Sequence, residues 1–291
     1  MSAVATAPQR SAPSEPPPVR TKRRRWTFYI LPVFTIGMIV YLASPVFLMI
    51  LYSFNDIRGE RQISKFTCCT LRWWSGYRQI PDLNEALWTS IRVAVPSAII
   101  ASALGSLIGL VLGRYPFRGR GLTNFVVFLA IAIPEIVLGS VLLSLFVQVN
   151  TSQPAGFTVQ IGYPTILFSH IAFSIPFVAI VVRARVQGLD RSLENAAQDL
   201  FATPMVAFVK VTLPLILPGV VAGLLLSFVL SLDDFVITNF VQGQLNTFPT
   251  WVYGATRIGV PPQVNVWGAI LFGAGVLLAS LNLVKGRRST A

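Results

Sequence analysis

Charge is scarce in this chain. Only 12% of its 291 residues are Asp, Glu, Lys or Arg, while 54% are hydrophobic, a composition far from that of a soluble domain. There is one histidine, His170, and there are two cysteines, Cys68 and Cys69, adjacent in sequence. Such a set supplies neither spaced metal ligands nor a disulfide framework, and a disulfide between neighbours is strained. Nothing matches G-x-x-x-x-G-K-[ST], so a phosphate-binding loop is absent. No Ser/His/Asp constellation is visible either. A nucleotide hydrolase or a membrane-embedded enzyme would need a convergent catalytic set, and this chain offers none. No cofactor is expected in it.

What the chain does have is long apolar runs. Six approach the ~20 residues needed to cross a bilayer, at about 28–53, 87–113, 122–147, 163–182, 213–241 and 264–284. Arg92 and Pro96 fall near the start of the second, which places its outer end partly in water. The basic residues then orient the spans. Lys22 to Arg25 precede the first span, Arg114, Arg118 and Arg120 follow the second, and Arg183, Arg185, Arg191 and Lys210 follow the fourth. Lys285, Arg287 and Arg288 close the chain, whereas the third connection has no basic residue and the fifth only Arg257. Both termini are therefore predicted to be cytoplasmic. The net charge of +12 is mostly this topology signal. It is not a nucleic-acid footprint, because the bases are dispersed and no aromatic platform accompanies them.

Residues 1–25, rich in Pro, Ala and Ser, read as a disordered basic tail. They lack the features of a removed signal peptide, and the first span is long enough to stay as a signal anchor. One membrane domain is expected over 26–288, followed by a short tail at 289–291, with no second soluble domain.

The polar connection after the fourth span, LDRSLENAAQDLFATPMVAFVKVTLP from Leu189 to Pro214, reads as two short helices. Asp190 is a candidate cap for a first helix running to about Leu200. Thr203 followed by Pro204 is a cap and first-turn signature for a second. The first carries a small apolar strip of Leu193, Ala196, Ala197 and Leu200 opposite a polar face. A helix–turn–helix on the cytoplasmic side of a membrane protein is a surface for an external partner.

Of only eleven acidic residues, three fall inside apolar runs: Glu135, Asp233 and Asp234. A charge at the bilayer centre costs at least ~2.5–3.5 kcal/mol. Such carboxylates persist by facing water, by pairing with a cation, or by protonation. Arg92 and Arg257 are candidate partners. Two readings follow, a structural ion pair or cap at a kinked helix end, and a path for a cation. Consecutive helical residues point ~100° apart, so one of the Asp pair should face substrate and the other a neighbouring helix. His170 has two readings as well, a hydrogen bond to a neighbouring helix or a lining or proton-relay role.

These residues carry a resemblance. The segment Asp190–Pro214 resembles the EAA loop of permease subunits of ABC importers. The spans resemble the spermidine/putrescine permeases through LYSFND at 51–56, IPEIVLGSVLL at 133–143, HIAFSIPFV at 170–178 and SLDDFVITNFVQG at 231–243. The resemblance implies an all-α membrane protein with six transmembrane helices and the type I (MetI-like) permease fold. It also implies a second permease subunit, two cytoplasmic ATPases that bind ATP and Mg, and an extracytoplasmic substrate-binding protein. The chain itself would be non-catalytic and would pass polyamines inward by alternating access. Its substrate path would include Glu135, Asp233 and Asp234, with Phe235, Trp251 and Tyr253 as candidate cation–π partners. Its ATPase-coupling residues would be Glu194, Asn195, Ala196, Ala197, Leu200 and Phe201.

Two departures stand out. Asn195 occupies the position of the family's Glu, with Glu194 one residue early, which weakens a Ser192-to-Glu capping box. Phe201 occupies the position of the family's Gly, where a left-handed turn would cost a non-glycine residue ~1–2 kcal/mol. Either the turn is strained there, or Phe201 is an apolar anchor for the ATPase. A permease for another cationic solute would share the coupling loop. A proton-coupled secondary transporter using the acids and His170 would leave that loop unexplained.

Overall fold

The computed structural model describes residues 25–56, 66, 67, 69–153, 156, 158–190 and 192–288. The tail up to residue 24, Cys68, Arg191 and residues 289–291 lie outside them. The described chain is helical, with one isolated bridge between Asn55 and Cys69, and it divides into units 1–49 and 50–291. The first unit is most of α1 (Arg25–Tyr52), whose described side chains are largely exposed and apolar.

In the second unit a short α2 (Arg72–Ser75) precedes α3 (Pro81–Arg114). Pro81 sits in the first turn, where its missing N–H costs nothing, so this helix begins six residues before the apolar run that defines its span. Next come α4 (Arg120–Ala132), α5 (Glu135–Ser152) and α6 (Tyr163–Gln187). The polar connection after the fourth span is α7 (Ser192–Asp199) and α8 (Pro204–Ala207), followed by a π turn (Phe208–Thr212) and α9 (Leu213–Asp233). The chain closes with α10 (Val236–Val241), α11 (Phe248–Thr256) and α12 (Pro262–Arg288). Five of the described helices are long and apolar enough to cross a membrane, while α4 and the 262–277 part of α12 are shorter apolar helices.

Helices α3, α6 and α9 all pack on one another, and α6 meets α3 backbone to backbone. Gly105, Gly109 and Gly113 on α3 follow one another every fourth residue. A Cβ on Gly109 would stand 2.6 Å from the carbonyl oxygen of Ala179 on α6, and one on Gly105 2.7 Å from Val178. Gly223 on α9 meets the same Val178 from the other side, at 2.9 Å for an added Cβ. In a bilayer the solvent gives helices little reason to associate, so close approach through small residues supplies the attraction. Apolar clusters fill the space on either side of this contact, Val93, Ile166, Phe173 and Ile237 in one and Leu110, Val182, Val186 and Ile216 in the other.

Two of the expected spans are broken. The third, read as continuous over 122–147, is two helices separated by Ile133 and Pro134, both extended (ψ 126° and 135°). Proline lacks a donor and pushes its predecessor out of the helical region. The fifth, read as continuous over 213–241, ends at Asp233, and Asp234 is extended before α10. At the other end the fifth span is longer than expected. The second short helix of the polar connection is not separate: Pro204–Asp233 runs as one helix of 30 residues. Pro214 explains the π turn inside it. Its ring would strike the carbonyl of Lys210 in a regular helix, and there the chain widens, with Leu213 N–H reaching back to Phe208.

Candidate functional site: two broken spans and a polar loop

The two breaks face each other. Gly139 on α5 packs on α10 so closely that a Cβ would be 2.7 Å from the Phe240 ring. This contact brings the start of α5 to the start of α10, and the carboxylates of Glu135, Asp233 and Asp234 come within range of mutual repulsion. The three are not alike. Asp234 is 8% exposed and saturated with donors. Its Oδ2 accepts from Thr238 N–H (2.8 Å) and Thr238 Oγ1 (2.7 Å), and its Oδ1 from Ile237 N–H (3.3 Å). It thereby caps the first turn of α10. Asp233 and Glu135 are exposed, and neither forms a hydrogen bond or ion pair among the described residues.

His170 completes the Asp234 arrangement. The ring is 1% exposed. Its Nε2 lies 2.9 Å from Thr238 Oγ1 and 3.2 Å from Asp234 Oδ2, and its Nδ1 2.7 Å from Ser231 Oγ. The Thr238 hydroxyl proton is engaged by Asp234, so Nε2 donates to this pair. Nδ1 hydrogen-bonds Ser231, which accepts in turn from Ser97 Oγ at 2.9 Å. Side chains of α3, α6, α9 and α10 thus meet in one buried polar chain at the break. His170 hydrogen-bonds to neighbouring helices, and Asp234 caps α10 at the break.

The expected arginine partners are elsewhere. Arg92 lies over the Trp88 ring at 5.2 Å and Arg257 over the Tyr253 ring at 5.5 Å. Neither neutralises the acids. Of the three aromatic candidates, Phe235 and Tyr253 are brought together, with ring centroids 4.5 Å apart, and Tyr253 already carries the Arg257 cation. Trp251 does not join them. It lines two hollows with Asp82 and Asn246 instead.

On the polar segment after the fourth span, Asp190 accepts from Ser192 N–H at 2.9 Å and caps α7, as expected. The hydrogen bonds from Ser192 hold its carboxyl below the ordinary carboxylate range. Glu194 pairs with Arg114 at the end of α3 and accepts from Thr212 of the π turn. Asn195, Ala196 and Leu200 are exposed and Ala197 is half-buried. Phe201 has φ +63°, so the turn is left-handed and the residue is strained. Phe201 N–H bonds Gln198 O (2.9 Å) and Ala202 N–H bonds Ala197 O (3.1 Å). These are the two bonds of a Schellman helix end, built here on phenylalanine. The ring is 98% exposed and the adjacent Leu200 81%.

Sequence reasoning missed the polar chain through Ser97, Ser231 and Thr238, the Arg114 and Thr212 partners of Glu194, and the glycine face of α3. The four-residue spacing of Gly105, Gly109 and Gly113 signalled the last, and the Asp234-to-Thr238 spacing signalled a local cap.

Broken apolar spans around a carboxylate cluster, joined to a capped polar loop, are the features of a membrane permease. The chain belongs to the family of binding-protein-dependent transport system inner membrane components, which matches residues 105–285. It is 34% identical over 236 residues to the putrescine transport system permease protein PotI of Escherichia coli K12, covering 80% of this chain and 82% of that protein. It is also 34% identical over 258 residues to the spermidine/putrescine transport system permease protein PotC of the same strain, covering 88% and 94%. The PotC of Haemophilus influenzae is 30% identical over 266 residues, covering 90% and 98%. Among solved structures, a bacterial ABC transporter involved in import of the acidic polysaccharide alginate matches with TM-score 0.71 at 16% identity, covering 91% of this chain and 96% of that one. The inward-facing MetNI methionine ABC transporter matches with TM-score 0.58 at 19% identity, covering 73% and 98%. The fold is therefore that of the MetI-like ABC permeases.

Proposed function

We propose that this chain is the non-catalytic permease subunit of an ATP-driven importer of polyamines, and that Glu135 and Asp233 are the carboxylates that meet the cargo. The observation that carries this reading is the division of labour at the breaks. Asp234 is fully engaged in holding α10 and His170, while Glu135 and Asp233 are exposed and unpaired. Facing lipid, each would cost at least ~2.5–3.5 kcal/mol. Facing a water-filled path shared with a second permease subunit, they offer successive weak sites to a chain of ammonium groups. Weak sites are what a conducting path needs, since cargo must leave as readily as it enters. The names of the relatives support a polyamine as that cargo.

In this assembly two cytoplasmic ATPases bind ATP and Mg and dock on the cytoplasmic segment through Ala196, Ala197, Leu200 and Phe201. A substrate-binding protein delivers cargo from outside. Both termini lie inside, in keeping with the distribution of Lys and Arg. A cysteine placed at position 195 should accordingly resist labelling by a membrane-impermeant reagent in intact cells.

The decisive experiment measures radiolabelled spermidine and putrescine uptake by the reconstituted complex with ATP. Glu135→Gln and Asp233→Asn should each lower uptake at least tenfold, about 1.4 kcal/mol, with assembly intact. Wild-type uptake by both variants would reject the cargo role.

A further inference from the structure

At one end of the second unit, two hollows of about 470 and 200 Å³ adjoin between the start of α3 and the segment leading into α11. Both are lined by Asp82, Asn246 and Trp251. The larger adds apolar walls, Ile80 and Ile258 among them, and the smaller adds Glu85. Among the described residues no Lys or Arg lines either hollow, in a chain whose net charge is +12. The Asp82 and Glu85 carboxylates form no ion pair or hydrogen bond among the described residues.

We propose that these joined hollows bind a linear amine, with Asp82 and Glu85 as counter-charges for two ammonium groups and Trp251 as the wall against which the tether lies. The proposal rests on the polyamine reading above and adds a second station to it. Asp82 and Glu85 are three residues apart on one helix, so their Cβ atoms are about 5–6 Å apart on the same face. A short methylene chain between two ammonium groups spans such a gap. Trp is the best of the aromatic partners for a cation, and Ile80 and Ile258 match the apolar tether. A single carboxylate in the first turn of α3 would need no ligand, since the helix end favours negative charge there. A second carboxylate aligned with it, over a hollow walled by indole and free of any cation, is not explained by the helix end. With the termini inside, this station lies on the side from which cargo arrives, before Glu135 and Asp233.

The test uses the complete permease–ATPase complex in detergent, without binding protein, and measures equilibrium binding of radiolabelled spermidine. The wild-type complex should bind and be displaced by putrescine. D82N/E85Q should weaken binding at least tenfold, and Trp251→Leu, which keeps an apolar wall, several-fold. Affinity of the complex for its loaded binding protein, measured in parallel, should be unchanged in both. No spermidine binding by the wild type, or wild-type affinity in D82N/E85Q, would overturn the proposal. So would a parallel loss of binding-protein affinity, which would mean that the carboxylates dock basic residues of that protein. If the wild-type complex takes up no polyamine, the functional reading itself fails. If it does while D82N/E85Q binds normally, only this station fails.

Discussion

Replacing Phe201 by glycine sets two energies against each other. Phe201 sits at φ +63° with its ring 98% exposed, so within this chain the strain has no compensating contact. The left-handed conformation costs a non-glycine residue ~1–2 kcal/mol, and glycine returns ~0.4–1 kcal/mol of that through the entropy of the unfolded chain. The isolated turn in Phe201→Gly should therefore be as stable as wild type or up to ~1.5 kcal/mol more so. Burial of a Phe side chain in an ATPase groove, by contrast, is worth ~1.5–3 kcal/mol. Loss of ~2 kcal/mol corresponds to roughly 30-fold in dissociation constant, since each 1.4 kcal/mol is tenfold. The permease is reconstituted in nanodiscs and titrated with ATPase, while hydrogen exchange follows the amides of Leu200, Phe201 and Ala202. Slower or unchanged exchange together with ~30-fold weaker ATPase binding is expected, and Phe201→Leu should fall between. Equal or tighter ATPase binding by Phe201→Gly would refute the anchor role.

Three other substitutions test the architecture. Asp234→Asn replaces one of the two acceptor oxygens that hold Ile237, Thr238 and His170 by an NH2 donor; it should destabilise the permease by ~1.5–3 kcal/mol, seen as a lowered thermal midpoint, whereas Asp233→Asn should leave that midpoint unchanged. Gly109→Ala places a Cβ 2.6 Å from Ala179 O and should cost ~1–3 kcal/mol by overpacking, while Gly121→Ala, which meets open space, should be neutral or slightly stabilising in the same melt. Glu194→Gln breaks the pair with Arg114 and should speed hydrogen exchange across α7, by up to about 3 kcal/mol of local stability; Ala197→Asp should leave that exchange unchanged but release the ATPase on co-purification.

The helices were legible because apolar runs of bilayer length have few alternatives, and Asp190 and Thr203–Pro204 announced their caps. The breaks were less so. Pro134 was visible, but proline also stands inside α3, α6 and α9 without ending them. Whether it breaks a span depends on which neighbours satisfy the freed backbone groups. At Asp234 no proline signals a break, and the extended residue is held by a cap whose acceptor is itself held by His170 from another helix. The three acids could be named from hydropathy, but their roles could not be assigned. A periodicity argument assumed an unbroken helix through Asp233 and Asp234, and the break removed its premise. The pairing of Glu194 was hidden for a similar reason, because its partners lie at the ends of α3 and the π turn, distant in sequence.

The unbroken helix Pro204–Asp233 has a mechanical consequence. Thirty residues at ~1.5 Å each make a rod of about 45 Å, with the Phe201 turn next to one end and Asp233 at the other. Gly219 and Gly223, where α6 approaches it closely, lie near its midpoint. On the proposed function, that arrangement would act as a lever on a fulcrum. A tilt that moves the arm beside Phe201 one way would move the arm carrying Asp233 the other, so opening on one side of the membrane and closing on the opposite side would be a single movement. No relay of side chains is needed to keep the two from being open at once.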